Sequence, residues 1–287
     1  LKVMIKNRKL ILFIIILISS LYVAYLSILN GIIIGQGGHD TFQYIEFSSL
    51  LFSDPYVYFY RPVLYFLVNL NNAIVGWEPY SLTVLLSASY LASCIFFYLI
   101  TYYFSNNLIL RLLISLIFIF SSYSARSIAV NYIFLIELLF VLGFVFFLLK
   151  THEKRFNIYP FLCGLMMFGG THTHEDKFIF FFICLFLYFF IDRKKSIKIS
   201  VIFFTLSIIT AFYFGFSAVI NNLLQLLHAT GSDWAGERSG IFTNLFFILD
   251  YTYINIFGNF LTQLIYLIIL IKFFINLSIV KFKLNMQ

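Results

Sequence analysis

Residues 10–34 read LILFIIILISSLYVAYLSILNGIII. The stretch carries no charged side chain over 25 residues. As a helix at 1.5 Å per residue it reaches about 37 Å, enough for the roughly 30 Å hydrocarbon core of a bilayer. Lys2, Lys6, Arg8 and Lys9 precede it. Such a basic start is shared with secretory signals, but the apolar run exceeds the about 7–15 residues of a signal core. It is therefore expected to remain as a first membrane span. The start at Leu1 rather than Met is read as clipped or atypical.

The rest of the chain extends this pattern. Of 287 residues, 62% are hydrophobic and 11% charged, whereas a soluble domain is about 25% charged. No soluble globule could keep that much apolar surface from water. Phe (39) and Tyr (20) are abundant, which suits membrane cores and headgroup belts. The net charge of +7 does not indicate a nucleic-acid partner, because the basic residues lie between apolar runs and form no single patch. Cys94, Cys163 and Cys184 are scattered through apolar stretches and read as packing residues.

The expected fold class is all-α: a polytopic transmembrane helical bundle of about eight spans, given about 20 apolar residues per crossing. The spans fall near 10–34, 80–104, 108–123, 130–149, 156–170, 178–191, 199–219 and 260–280. They form one domain over 1–287, with both termini cytoplasmic. Segment Pro62–Val75 carries Asn69, Asn71 and Asn72 and as a helix reaches only about 21 Å. It is expected as a juxtamembrane helix on the outer face. This assignment puts 14 of the 19 basic residues at inner ends, including Arg111, Lys150, Lys154, Arg155 and the Arg193–Lys198 cluster. A spanning Pro62–Val75 would flip those clusters outward, against the positive-inside rule. The protein is thus expected in a bacterial inner or cell membrane, with its reactive face extracytoplasmic.

Besides a short turn holding Arg126, that outer side has a first loop 35–79, a short loop 171–177 and a late loop 220–259. The first contains Gly37-Gly38-His39-Asp40. A carboxylate just beyond the membrane surface can serve as a general base, or can simply cap the next helix. Arg61 precedes Pro62, a helix-starting residue, so its charge would lie beside a positive helix end where a phosphate or a lipid headgroup could rest. The short loop Thr171-His172-Thr173-His174-Glu175-Asp176-Lys177 is dense in titratable groups. These suit acid–base work and phosphate contact better than metal binding, because His172 and His174, two apart, do not share a helix face. No cofactor is required by the sequence, although a divalent cation could be held here. Glu137 falls about six residues into its span, roughly 9 Å deep. Intramembrane carboxylates default to a functional or ion-paired role, and Arg126 is a candidate partner. The late loop carries His228, Trp234 and Arg238, the last a further phosphate candidate.

In order, the pattern runs from a first span and an outer loop with an acid, through Tyr60-Arg61-Pro62 and the Gly76–Pro79 step, to a short polar loop before a Phe-rich span. Over about residues 1–195 this resembles the GT-C superfamily of membrane glycosyltransferases, which includes protein O-mannosyltransferases and lipid A aminoarabinose transferases. The resemblance implies a transferase moving a sugar from a polyprenyl-phosphate carrier to an acceptor hydroxyl on a glycan, lipid or protein, in cell-envelope polysaccharide or glycolipid synthesis. It implies Asp40 as catalytic base. Arg61, Lys177 and Arg238 would contact the donor phosphate, and His174, Glu175 and Asp176 would orient the acceptor. Two positions depart from the family pattern: His39 stands where many members have a second acid, and His174-Glu175 replaces a Lys-Glu pair. The competing expectations are a transporter or flippase for a lipid-linked saccharide, and a non-catalytic assembly subunit. A conduit would need polar residues lining the spans, where Glu137 is the main exception to apolarity.

Overall fold

The computed structural model describes residues 2–34, 61–76, 80–121, 128, 133–153, 158–173 and 177–214. Every regular element among them is an α-helix: α1 Lys2–Ile34, α2 Pro62–Val75, α3 Tyr80–Thr101, α4 Leu108–Ile119, α5 Phe134–Glu153, α6 Ile158–Thr171, α7 Lys177–Phe189 and α8 Arg193–Phe214. Stretches Leu10–Leu29, Ser81–Thr101 and Phe134–His152 are long and apolar enough to cross a membrane. Helices α2, α4, α6 and α7 are apolar but shorter, at 12 to 14 residues. Such helices reach about 18–21 Å, less than the hydrocarbon thickness. The expected span near 260–280 lies outside the described residues.

Local sequence explains where these helices start and stop. Helix α2 opens at Pro62, whose missing N–H costs nothing at a first helical position. It ends at Gly76, which adopts φ 107°, a left-handed conformation that disfavours side chains. Helix α4 is capped by Asn107, whose Oδ1 accepts from Ile109 N at 2.9 Å and Leu110 N at 3.3 Å. Such a cap contributes about 1 kcal/mol.

Packing divides the core in two. One cluster joins α1 to α5 and includes Ile16, Leu64, Leu86, Tyr90 and Phe97. The other joins α5 to α8 through Phe144, Met167, Phe181 and Phe203. Glycines on α6 permit the close approach. A Cβ on Gly164 would stand 2.8 Å from Ile202 Cγ2 and 3.1 Å from Ile199 O of α8. Small residues at helix interfaces let backbones approach and gain dispersion contact, the main attraction where lipid already solvates apolar groups. On α1, Ile11, Ile14, Ile18, Leu21, Tyr22 and Tyr25 are exposed while Ile16, Ser20, Val23 and Ser27 are buried. Apolar residues therefore cover both the packed face and the outward one, as lipid contact would require.

Polar ties then define two ends. Lys195 Nζ donates to Thr151 O at 2.7 Å, so the start of α8 meets the finish of α5. Lys150 Nζ lies 5.2 Å from the Tyr103 ring centroid, which puts the finish of α3 at the same end. At the other end, Asn71 Nδ2 donates to Ser81 O at 2.6 Å and Ser81 donates to Asn72 Oδ1. Asn71 and Asn72 of α2 thus bind its C-terminal end to the start of α3.

Candidate functional site

The end where α3 and α5 begin holds the described part of the expected reactive face. Its centre is His172, in the turn after α6. The His172 carbonyl accepts from Val63 N at 3.2 Å, and its own N donates to Phe168 O at 3.0 Å. One residue therefore connects α6 to the start of α2, just past Arg61 and Pro62. This bond also uses one of the first-turn amides of α2, so a phosphate there would depend more on the Arg61 side chain than on the helix end. The His172 Nε2 and Ser207 Oγ share a hydrogen bond at 3.1 Å, which extends the junction to α8. The ring packs against Phe168 with centroids 4.6 Å apart. His172 is buried, and burial pushes its imidazole down to about 4. It is neutral at neutral pH and serves here as a structural tie, whereas its sequence neighbourhood suggested an exposed acid–base group. Thr173 is likewise buried and donates from Oγ1 to Gly169 O at 2.7 Å.

Glu137 and Lys177 form the second feature. Their Oε2 and Nζ atoms are 3.0 Å apart, with side-chain exposures of 5% and 13%. Glu137 sits in the first turn of α5, where a carboxylate complements the helix dipole. Lys177 opens α7, where a cation opposes the dipole, and Glu137 supplies the compensating charge. Among the described residues Glu137 pairs with Lys177; the sequence-based candidate Arg126 lies outside them. Removing either member would leave an isolated buried charge at a cost of about 3–5 kcal/mol.

The structure therefore brings Arg61, His172 and the Glu137–Lys177 pair to one end of the bundle. Arg61 is half-buried there. Asp40, His174, Glu175, Asp176 and Arg238 lie outside the described residues. Among the described residues, no three His, Cys, Asp or Glu side chains gather as a metal-binding group. Two opposite charges at the starts of neighbouring helices were a legible signal for the Glu137–Lys177 pairing. Nothing in the sequence singled out Ser207, one of many serines in apolar runs. Comparisons with protein-family models, curated proteins and solved structures found no match.

Proposed function

We propose that the chain is a GT-C-like glycosyltransferase of a multi-pass, extracytoplasmic-facing kind. It would transfer a sugar from a polyprenyl-phosphate carrier to an acceptor hydroxyl. The observation that carries the reading is the hydrogen bond from Val63 N to His172 O. It joins the Arg61-Pro62 start of α2 to the short polar loop, two segments 109 residues apart that the resemblance assigns to one site (Val63 to His172). The orientation rests on the charge distribution: Lys150, Arg193, Lys194, Lys195 and Lys198 fall toward the opposite end, as the positive-inside rule asks of a cytoplasmic face.

The reaction in this reading is a direct displacement with inversion. Asp40 takes the proton of the acceptor hydroxyl as its oxygen bonds to the anomeric carbon. The bond from that carbon to the phosphate oxygen breaks, and the electron pair leaves with the lipid phosphate. Arg61 stabilises the growing negative charge, with Lys177 and Arg238 as further contacts. Glu137 holds Lys177 in place, so the ammonium is positioned before the donor arrives. His174, Glu175 and Asp176 orient the acceptor and could hold a divalent cation.

The test is transfer in membranes containing the protein and a radiolabelled polyprenyl-phosphate sugar. Arg61→Gln should reduce kcat by about 10²–10³-fold if the guanidinium stabilises the leaving group. Undiminished kcat and KM would remove Arg61 from the site. A sugar lipid that changes leaflet without losing its sugar would instead indicate a transporter.

A further inference from the structure

The tip joining α7 to α8 lies at the end opposite the candidate site, since Lys195 Nζ meets Thr151 O there. Four of the first six residues of α8 are basic, and its first turn holds no acid. Cations at the start of a helix oppose its dipole. Lys194 and Lys198, one turn apart, add a like-charge pair. Asp192 relieves Lys195: its Oδ1 accepts from Lys195 N at 3.1 Å, and its Oδ2 lies 3.4 Å from Lys195 Nζ. The bond to Thr151 O draws the same ammonium toward α5. Arg193, Lys194 and Lys198, by contrast, are exposed.

These cations are set among exposed apolar side chains. Phe186 and Phe190 are exposed, with ring centroids 5.0 Å apart. The Arg193 guanidinium carbon is 5.5 Å from the Phe189 ring centroid. On α8, Ile197 and Val201 are exposed, and Phe204 and Ile208 continue the apolar surface. The helix therefore passes from exposed cations to exposed apolar groups within about one turn. An acidic soluble partner would answer the charges but leave this apolar surface in water. The headgroup region of an anionic leaflet answers both, with phosphates for the cations and acyl chains for the apolar groups. We propose that Arg193, Lys194 and Lys198 form a surface that binds anionic phospholipid headgroups in preference to zwitterionic ones. The positive-inside bias concerns orientation; a standing lipid preference is a separate property of the folded chain. The proposal rests on the membrane-spanning reading and is independent of the transfer chemistry.

Photocrosslinking of the full chain in phosphatidylcholine vesicles tests it. The probe is a trace of phosphatidylglycerol or of phosphatidylcholine carrying a diazirine near the glycerol, with adducts mapped to segment 186–201 by mass spectrometry. The parent should give about tenfold more adducts with phosphatidylglycerol there, and molar salt should lower that ratio severalfold. The combined Arg193→Gln, Lys194→Gln and Lys198→Gln variant should bring the ratio near one. The combined Arg193→Lys, Lys194→Arg and Lys198→Arg variant, which keeps every charge, should hold the parental ratio. Equal adducts in the parent overturn the proposal, as does a ratio unchanged by the three glutamines or lost in the charge-preserving variant. Should the glutamine variant not accumulate, the parent decides: a ratio unmoved by molar salt overturns the headgroup surface. Equal lipid adducts with capture of the vesicles on immobilised polyglutamate would also overturn it, in favour of an acidic protein contact. Release of the parent from vesicles by alkaline carbonate would instead overturn the membrane-spanning reading.

Discussion

Glu137 and Lys177 neutralise each other at 3.0 Å in a nearly closed environment. Their value to the fold lies chiefly in the cost of separating them. Glu137→Gln should destabilise the chain by about 3 kcal/mol, whereas Glu137→Leu combined with Lys177→Met should recover most of that loss. Thermal unfolding of the single and double variants in detergent checks this; additive losses would contradict it. His172 makes a separate, pH-dependent contribution. Folded, it stays neutral down to about pH 4 because burial opposes the charge; unfolded, it takes a proton near 6.5. Its stabilisation is complete above about pH 6.5 and is lost as pH falls toward 4, on the order of 3 kcal/mol in all. His172→Gln should show a smaller decline over that interval, measured as the difference between the two unfolding curves. At this scale the sequence singled out Glu137 as a candidate for an ion pair, and the described residues give it Lys177 as a partner. Burial of His172 depends on α8 lying over it through Ser207, a contact of residues 35 apart that no local spacing announces.

At the scale of elements, α2 and α6 show which features were readable. Pro62 and Gly76 bracket α2 as proline and glycine commonly bracket a helix, so the bounds expected from sequence, Pro62–Val75, are those observed. Two of the three asparagines that counted against a lipid-buried span, Asn71 and Asn72, fasten α2 to Ser81. Gly76→Ala should cost about 1–2 kcal/mol because φ 107° is strained for any side chain. Helix α6 was less legible. Its glycines mark close packing, yet only the fold reveals that Gly164 faces α8 while Gly169 and Gly170 face Phe140 and Phe181. Gly164→Val should therefore part α6 from α8 and lower the folded yield severalfold, consistent with an overpacking cost of about 1–3 kcal/mol. Fluorescence-detected size exclusion would measure it.

Across the whole molecule, apolar runs separated by basic clusters led to an all-helical bundle, and the described residues contain helices only. Span lengths were harder to read, because a run such as Leu108–Ile119 is apolar throughout but stops after 12 residues. The proposed positive-inside orientation would put Arg193–Lys198 and Lys150 on the cytoplasmic side and His172 outside. Single-cysteine reporters at Lys194 and His174 should accordingly label from opposite sides of sealed vesicles. The candidate site is divided in the same way: Arg61, Lys177 and Glu137 lie at one end of the bundle, whereas Asp40, proposed from its place in the first outer loop and in the motif order, lies outside the described residues. The most direct measurement is sugar transfer from a polyprenyl-phosphate donor by membranes carrying the parent or Asp40→Asn at equal levels. The substitution preserves size and removes the base. Transfer lost by about 10²-fold or more, the scale of general-base catalysis, is the result predicted. Transfer at the parental rate would contradict Asp40 as base and with it the proposed mechanism.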